Sequence, residues 1–365
     1  MRFLVALLAV CTWAQQPYKD ASTFPPTYQG PGRDEPAPVG LTEIRIGFFG
    51  PSDSSHPEGG TIWQGASRAI EEANRAGGYR GLPFRLVSRW SDNPWRAGAA
   101  HVVRLAYEDQ VWAIVGGIDG PTTHLAEQVV AKALLTLVSP ASTDRSVNLA
   151  GVPWMFSCMP GDDLLAAVLV QAMAGEKDVT LISATDHDSR AFTAELKKAM
   201  ASRGLTPAFH VEFDPGKDAA EAATRAKGAS AVALVAGPAD SVRFLSALHA
   251  SGFGGRIYAG PWVARLTALG AAEGVVFPFP LESLPEGFPD YAAVYAYDAA
   301  NLVIAAIRKA GLNRVRIYDA MRELSPSTGA SGVIRFDALG RSAHPVRLAT
   351  VRGGRVITLT PSAAR

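Results

Sequence analysis

Residues Val111–Thr143 read VWAIVGGIDGPTTHLAEQVVAKALLTLVSPAST. The apolar run Val111 to Val115 has the length of a buried strand, and Gly116-Gly117 breaks it. Gly120-Pro121 follows, with Thr122 and Thr123 placed to cap a helix that carries Leu125, Val129 and Val130 on one face. A second apolar run, Leu134 to Val138, stops at Ser139-Pro140-Ala141-Ser142-Thr143. Strand, loop, helix, strand and loop in this order build a parallel sheet. In open α/β sheets a ligand sits beyond the carboxyl ends of the strands. Both small polar loops, Gly117–Thr122 and Ser139–Thr143, fall at such ends, and we read them as half of a small-molecule site.

The same pattern extends outward in both directions. Toward the N-terminus, Ile44–Phe49 is a strand, followed by the polar loop Ser52–His56. The next helix, about Thr61 to Ala76, has Ile62, Ala66, Ala69, Ile70 and Ala73 on one face. Phe84–Val87 is a strand, and a helix from about Trp95 to Tyr107 leads into Val111. Toward the C-terminus the pattern restarts, with strands at Val179–Ser183, Ala208–Phe213, Ala231–Val235 and Ile257–Ala259 separated by helices. Long helices over Tyr291–Ala310 and Val315–Glu323 precede a tail that reads as antiparallel strands. The fold class is α/β, two doubly wound lobes in series joined by several crossovers. The expected division is a signal segment at 1–14, a proline-rich linker or arm at 15–42, a first lobe of 43–158 plus 280–326, and a second of 159–279 plus 327–360. Pro278-Phe279-Pro280 restricts the backbone at one expected crossover.

A chain of 365 residues suits two lobes better than one core. Removing the first segment takes away Arg2 and leaves 34 basic against 34 acidic residues, which speaks against nucleic acid as a partner. That segment, with Arg2 before the apolar run Phe3–Val10 and Thr12-Trp13-Ala14 after it, reads as an export signal. Leu8-Ala9-Val10-Cys11 is similar to a lipoprotein processing box, which would make Cys11 a lipid anchor, although Val10 is bulky for that position. With Cys11 removed or acylated, Cys158 has no intrachain partner and reads as a small buried apolar residue.

Catalytic signatures are missing: there is no G-x-S-x-G, H-E-x-x-H, Walker loop or G-x-G-x-x-G. Asp186-His187-Asp188 is the dense cluster of titratable groups. A metal there would need ligands from elsewhere, and the ordinary reading is a polar loop after a strand. We therefore expect neither an enzyme, a cofactor nor a metal.

The chain resembles the type I periplasmic solute-binding proteins, and most of all the branched-chain amino acid-binding branch that serves ABC importers. IRIGFFGPSDSS, IEEANRAGGYRGLPFRLV, VWAIVGG with LLTLVSPAST, and PGDD at 160–163 carry the likeness over about residues 43 to 355. The resemblance implies that Ala141, Ser142 and Thr143 lie on the loop that takes a solute carboxylate, with Gly120 where relatives have a serine and Asp119 just before it. Ser54, Ser55 and His56 fall on the loop after the first strand. Asp188, beside Asp186, falls where relatives place a tyrosine, and Gly237 or Pro238 replaces another aromatic. Trp262 stands where amino acid binders carry the acid that pairs with the ammonium. Either an aspartate (Asp188, Asp186 or Asp119) takes over that pairing, or the solute is not an amino acid. The second reading suits Trp262 as a flat wall for an aromatic or apolar body. Each residue also has a structural alternative: Ser142 and Thr143 as helix caps, Ser54–His56 as a solvated loop, Trp262 as lobe packing. The implied protein is a periplasmic receptor that delivers a small solute to a membrane permease; the alternative is a periplasmic sensory or accessory subunit.

Overall fold

The computed structural model describes residues 26–265 and 268–359; the expected signal, Cys11 and the start of the proline-rich stretch lie outside them. The first sheet is parallel, in the order β2-β1-β3-β4-β5, with β1 Ile44–Phe49, β2 Phe84–Ser88, β3 Ala113–Gly116, β4 Thr136–Ser139 and β5 Met155–Ser157. Helices α1 Gly60–Arg75, α2 Pro94–Tyr107, α3 Gly120–Ala133 and the short α4 Ser146–Leu149 connect these strands. The register keeps Ile44, Ile46 and Phe48 of β1 and Ile114 of β3 free of solvent.

The chain then enters the second unit through α5 Asp162–Ala172 and alternates β6 Val179–Ala184, α6 His187–Ala201, β7 Phe209–Phe213, α7 Ala219–Ala226, β8 Ala231–Val235, α8 Pro238–Ala250, β9 Arg256–Ala259 and β10 Val276–Phe279. It returns to the first unit with α9 Tyr291–Ala310, α10 Arg314–Glu323 and the hairpin β11 Ser327–Gly329 and β12 Gly332–Ile334. This hairpin lies with the first lobe and not, as expected, with the second, because Asp298 of α9 accepts from the Ala330 and Ser331 N–H groups at its turn. β13 Arg347–Arg352 and β14 Arg355–Thr358 complete a sheet ordered β14-β13-β10-β9-β8-β6-β7, its last two strands antiparallel. Phe192 and Leu196 of α6 pack with Leu165 and Leu169 of α5 in a separate core beneath this sheet. Two α/β lobes joined by several passages are therefore present, as the repeated βα pattern of the sequence leads one to expect.

Two glycine positions show how closely the first lobe is built. Gly117 has φ +57°, and a Cβ there would stand 2.1 Å from Thr123 Oγ1, so the turn from β3 into α3 requires glycine. A Cβ on Gly65 would fall 2.0 Å from the Ala293 carbonyl oxygen, which lets α1 and the long buried α9 pack backbone to backbone. The proline-rich stretch, from residue 26 onward, lies as an arm over this lobe. Arg33 makes a bidentate pair with Asp319 at 2.8 and 2.9 Å, and the Asn313 amide donates to the carbonyls of Gly32 and Glu35 at 2.8 and 3.0 Å. No helix among the described residues is long and apolar enough to cross a membrane.

Candidate functional site

A cavity of about 230 Å³ lies between the lobes, where the carboxyl ends of both sheets face each other. Its wall from the first lobe is Ile118 and Asp119 after β3 and Ala141 after β4. The second lobe supplies Asp186 to Ser189 after β6, Pro215 after β7, Pro238 after β8 and Trp262 after β9. Larger grooves of about 660 and 790 Å³ exist, but neither lies between the sheets. One is at the amino ends of β1 and β3 under the arm, the other between α9 and the β11–β12 hairpin. Ligands of open α/β sheets bind at the carboxyl ends, so the interlobe cavity is the candidate site. Its volume is below the range for drug-sized ligands and suits a solute of amino acid size.

Carboxylates dominate this cavity, and helix starts hold most of them. Asp119 caps α3, accepting from the Thr122 N–H at 2.8 Å and from the Thr122 hydroxyl, with Thr122 donating and accepting in a reciprocal capping box. Asp186 caps α6, accepting from the Ser189 N–H at 2.9 Å and its hydroxyl at 2.7 Å. Asp240 accepts from the Gly216 N–H at 3.0 Å. Asp188 differs, because it crosses the cleft. Its two oxygens accept from the Gly120 N–H, at the start of α3 in the opposite lobe, at 3.2 and 3.1 Å. A protein carboxylate thus occupies the positive end of a helix, where an anion is favoured.

Crowding sets the electrostatics. Burial raises the Asp188 carboxyl well above the ordinary range, and the charge of Asp119 adds to it; burial likewise raises Asp119 against the opposing hydrogen bonds of Thr122. Glu58 keeps solvent contact at the cavity mouth, yet its carboxyl is also raised, by desolvation first and then by Asp119, with Arg265 opposing. Arg265 is the cation of the cavity. Only 5% exposed, it reaches from the second lobe to the first, pairing with Asp290 at 3.0 Å and donating to Thr61 Oγ1 at 3.1 Å and to the Glu58 carbonyl. Trp262 supplies the flat apolar wall, its ring braced edge-on by Phe192 at 5.4 Å.

Of the residues singled out in the sequence, Asp119, Ala141, Asp186, Asp188, Pro238 and Trp262 line the cavity, and Gly120 holds Asp188 through its backbone. Ser142 and Thr143 are buried behind Ala141, the Ser142 hydroxyl without a partner. Ser54, Ser55 and His56 lie off the cavity wall on a loop that satisfies itself. Ser55 donates to Asp53 at 2.8 Å, and His56 Nδ1 accepts from the Gly59 N–H at 3.0 Å. Asp186-His187-Asp188 is not a polar loop: Asp186 is the cap and His187 the first residue of α6. Arg265 and Glu58 were invisible as site residues in the sequence, because they meet only when residues 204 or more apart are brought together.

A sequence model of the periplasmic binding protein family matches residues 43–355. An amino acid binding protein of Pseudomonas aeruginosa is 30% identical over 145 residues, which are 40% of this chain and 37% of that protein. BasB, a substrate-binding protein of a chemotactic signal transduction system in Halobacterium salinarum, is 30% identical over 199 residues, 52% of this chain and 48% of that protein. The chain spans half or less of the length of these curated relatives. Among solved structures, the branched-chain amino acid transporter substrate-binding protein LivJ of Streptococcus pneumoniae, in complex with isoleucine, superposes with a TM-score of 0.78 at 20% identity, over 87% of this chain and 100% of that one. A solute-binding protein of an ABC transporter from R. palustris, in complex with benzoate, gives 0.76 at 14% identity over 88% and 96%. At these identities both structures speak to the fold alone.

Proposed function

The chain belongs to the periplasmic binding protein family, and from that membership we propose that it is an extracytoplasmic receptor whose two lobes close over one small solute and present it to an ABC-type membrane permease. The family consists of solute-binding receptors and not of enzymes. The observation that carries the proposal is the cavity between the two carboxyl edges, spanned by the hydrogen bond from Gly120 to Asp188. Solute that touches both lobes favours the closed form, and the population shift is the signal a permease reads.

The solute is read as a small amine with a flat or apolar body. Asp119 and Asp188 stand half-buried with raised carboxyls, and a cationic nitrogen between them and Glu58 would relieve their repulsion. The start of α3 offers little to a second anion, because Asp188 already takes the Gly120 N–H. Trp262 suits the apolar body expected from the sequence, whereas the carboxylates add a charge requirement that the sequence reading left open. A thermal-shift panel of aliphatic amines, arylalkylamines, amino acids and aromatic acids tests this, since a ligand of the native state raises the midpoint. Amines are expected to give the largest shifts; a response confined to aromatic acids contradicts the amine reading. The similarity to BasB supports a second reading, a receptor that reports to a signal transducer. Cross-linking from the closed face in membranes separates the two readings by whether a permease or a transducer is captured.

A further inference from the structure

We infer that His124, Asp144 and His187 form a binding site for a first-row divalent cation of the zinc, cobalt or nickel type, which clasps the two lobes together beside the solute cavity. His124 lies on α3 and Asp144 on the loop after β4, both in the first lobe; His187 opens α6 in the second. The site therefore exists only when the lobes are closed. His187 Nε2 stands 2.8 Å and His124 Nε2 3.4 Å from the same oxygen, Asp144 Oδ2, and the three ligand atoms all lie within 4.8 Å of one another. Around a tetrahedral ion with bonds of about 2.0–2.1 Å, ligand atoms are separated by roughly 3.3 Å, so small side-chain rotations bring the three atoms onto one ion. Two imidazoles and one carboxylate favour zinc-like ions over calcium or magnesium, which prefer all-oxygen shells.

The surroundings fit a metal ligand set. Glu127, one helical turn after His124 and with a side chain 3% exposed, holds His124 Nδ1 at 2.9 Å. With an ion bound, that contact would keep the ring proton on Nδ1 and leave Nε2 to ligate on the Asp144 side, as outer carboxylates do behind metal-bound histidines. The second Glu127 oxygen is buried without a partner, so the hydrogen bond of this carboxylate goes to His124. Ser146 Oγ, 2.9 Å from both His124 Nε2 and Asp144 Oδ2, is the group an ion would displace. Both histidines keep an open side, their side chains 29% and 44% exposed, which gives the ion an entry path and leaves room for a water as fourth ligand.

Because the ion needs both lobes, it binds the closed form and must be positively coupled to any solute that also closes them. The test needs no solute and so stands or falls apart from the receptor assignment. Untagged protein is titrated with zinc and, separately, with cobalt, following the melting midpoint, the visible cobalt absorption and the radius of gyration. The expected result is one ion per chain, a raised midpoint, an intense cobalt band of low coordination number and a smaller radius. His187→Ala, a half-exposed change that leaves the fold intact, should weaken zinc binding at least 10-fold and remove the compaction. His124→Ala should weaken it similarly. Absence of stoichiometric binding, or zinc binding unchanged in His187→Ala, overturns the inference.

Discussion

Asp188 concentrates the chemistry at the residue scale. Its half-buried carboxyl is raised by desolvation and by Asp119, and is bonded across the cleft to Gly120. A carboxyl whose folded pKa lies above its unfolded value favours the folded state fully below the unfolded value. That contribution is lost as pH rises through the folded one. The ligand-free protein therefore becomes less stable from the ordinary carboxylate range upward. Asp188→Asn removes this charge while its side-chain oxygen still accepts from Gly120. At neutral pH its melting midpoint should rise by about 1–3 °C in the absence of solute. The same substitution should abolish the thermal response to amines. A lower midpoint, or an undiminished amine response, would show that Asp188 is not the charged partner. Asp188 could be picked out from the sequence because it replaces an aromatic position of the resembled family. Arg265 could not, since nothing near Trp262 indicates that its guanidinium ends beside Asp290 and Thr61.

At the scale of elements, the start of α3 meets the start of α6. A Cβ on Gly120 would fall 2.4 Å from Asp188 Oδ1 and 3.1 Å from Asp144 Cβ. The glycine is thus needed for the close approach of the two lobes, whereas the first turn of a helix accepts alanine readily. Gly120→Ala should lower the melting midpoint of the ligand-free protein by about 2 °C or more, because its Cβ meets Asp188, and weaken solute affinity about 10-fold or more, a cost of roughly 1.4 kcal/mol. Calorimetry and a melting curve on the same sample check both parts. The elements themselves were largely legible in the sequence: β1 is a clean apolar run between turn residues, and α9 a long unbroken helical pattern. β5 was not, because Met155–Ser157 is three residues long and carries no period. β10 was obscured by Pro278, which a strand interior usually excludes. It is tolerated because β9 pairs with β10 only at Val276, so Pro278 lies beyond that pairing and faces Leu348 of the antiparallel β13.

Over the whole molecule, a repeated βα pattern determines two facing carboxyl edges, and the chain ordering places polar or acidic residues on both. That much follows from periodicity and turn residues. The contacts that hold the lobes closed do not. Arg145 reaches Glu195 at 3.2 Å, His187 reaches Asp144, and Arg265 bridges to α1 and α9, all between residues distant in the sequence. Closure is therefore polar and reversible in character, as a receptor that must release its solute requires. The most direct test of the account is titration calorimetry with the amine that shifts the melting curve most, run near neutral pH in two buffers of different ionisation enthalpy. The account predicts one solute per chain, proton release wherever the raised Asp119 and Asp188 carboxyls still hold protons, because a cation drives them toward their charged forms, and affinity that rises with pH through that range. Binding of an anionic aromatic acid with proton uptake, and with affinity that rises as pH falls, would contradict it.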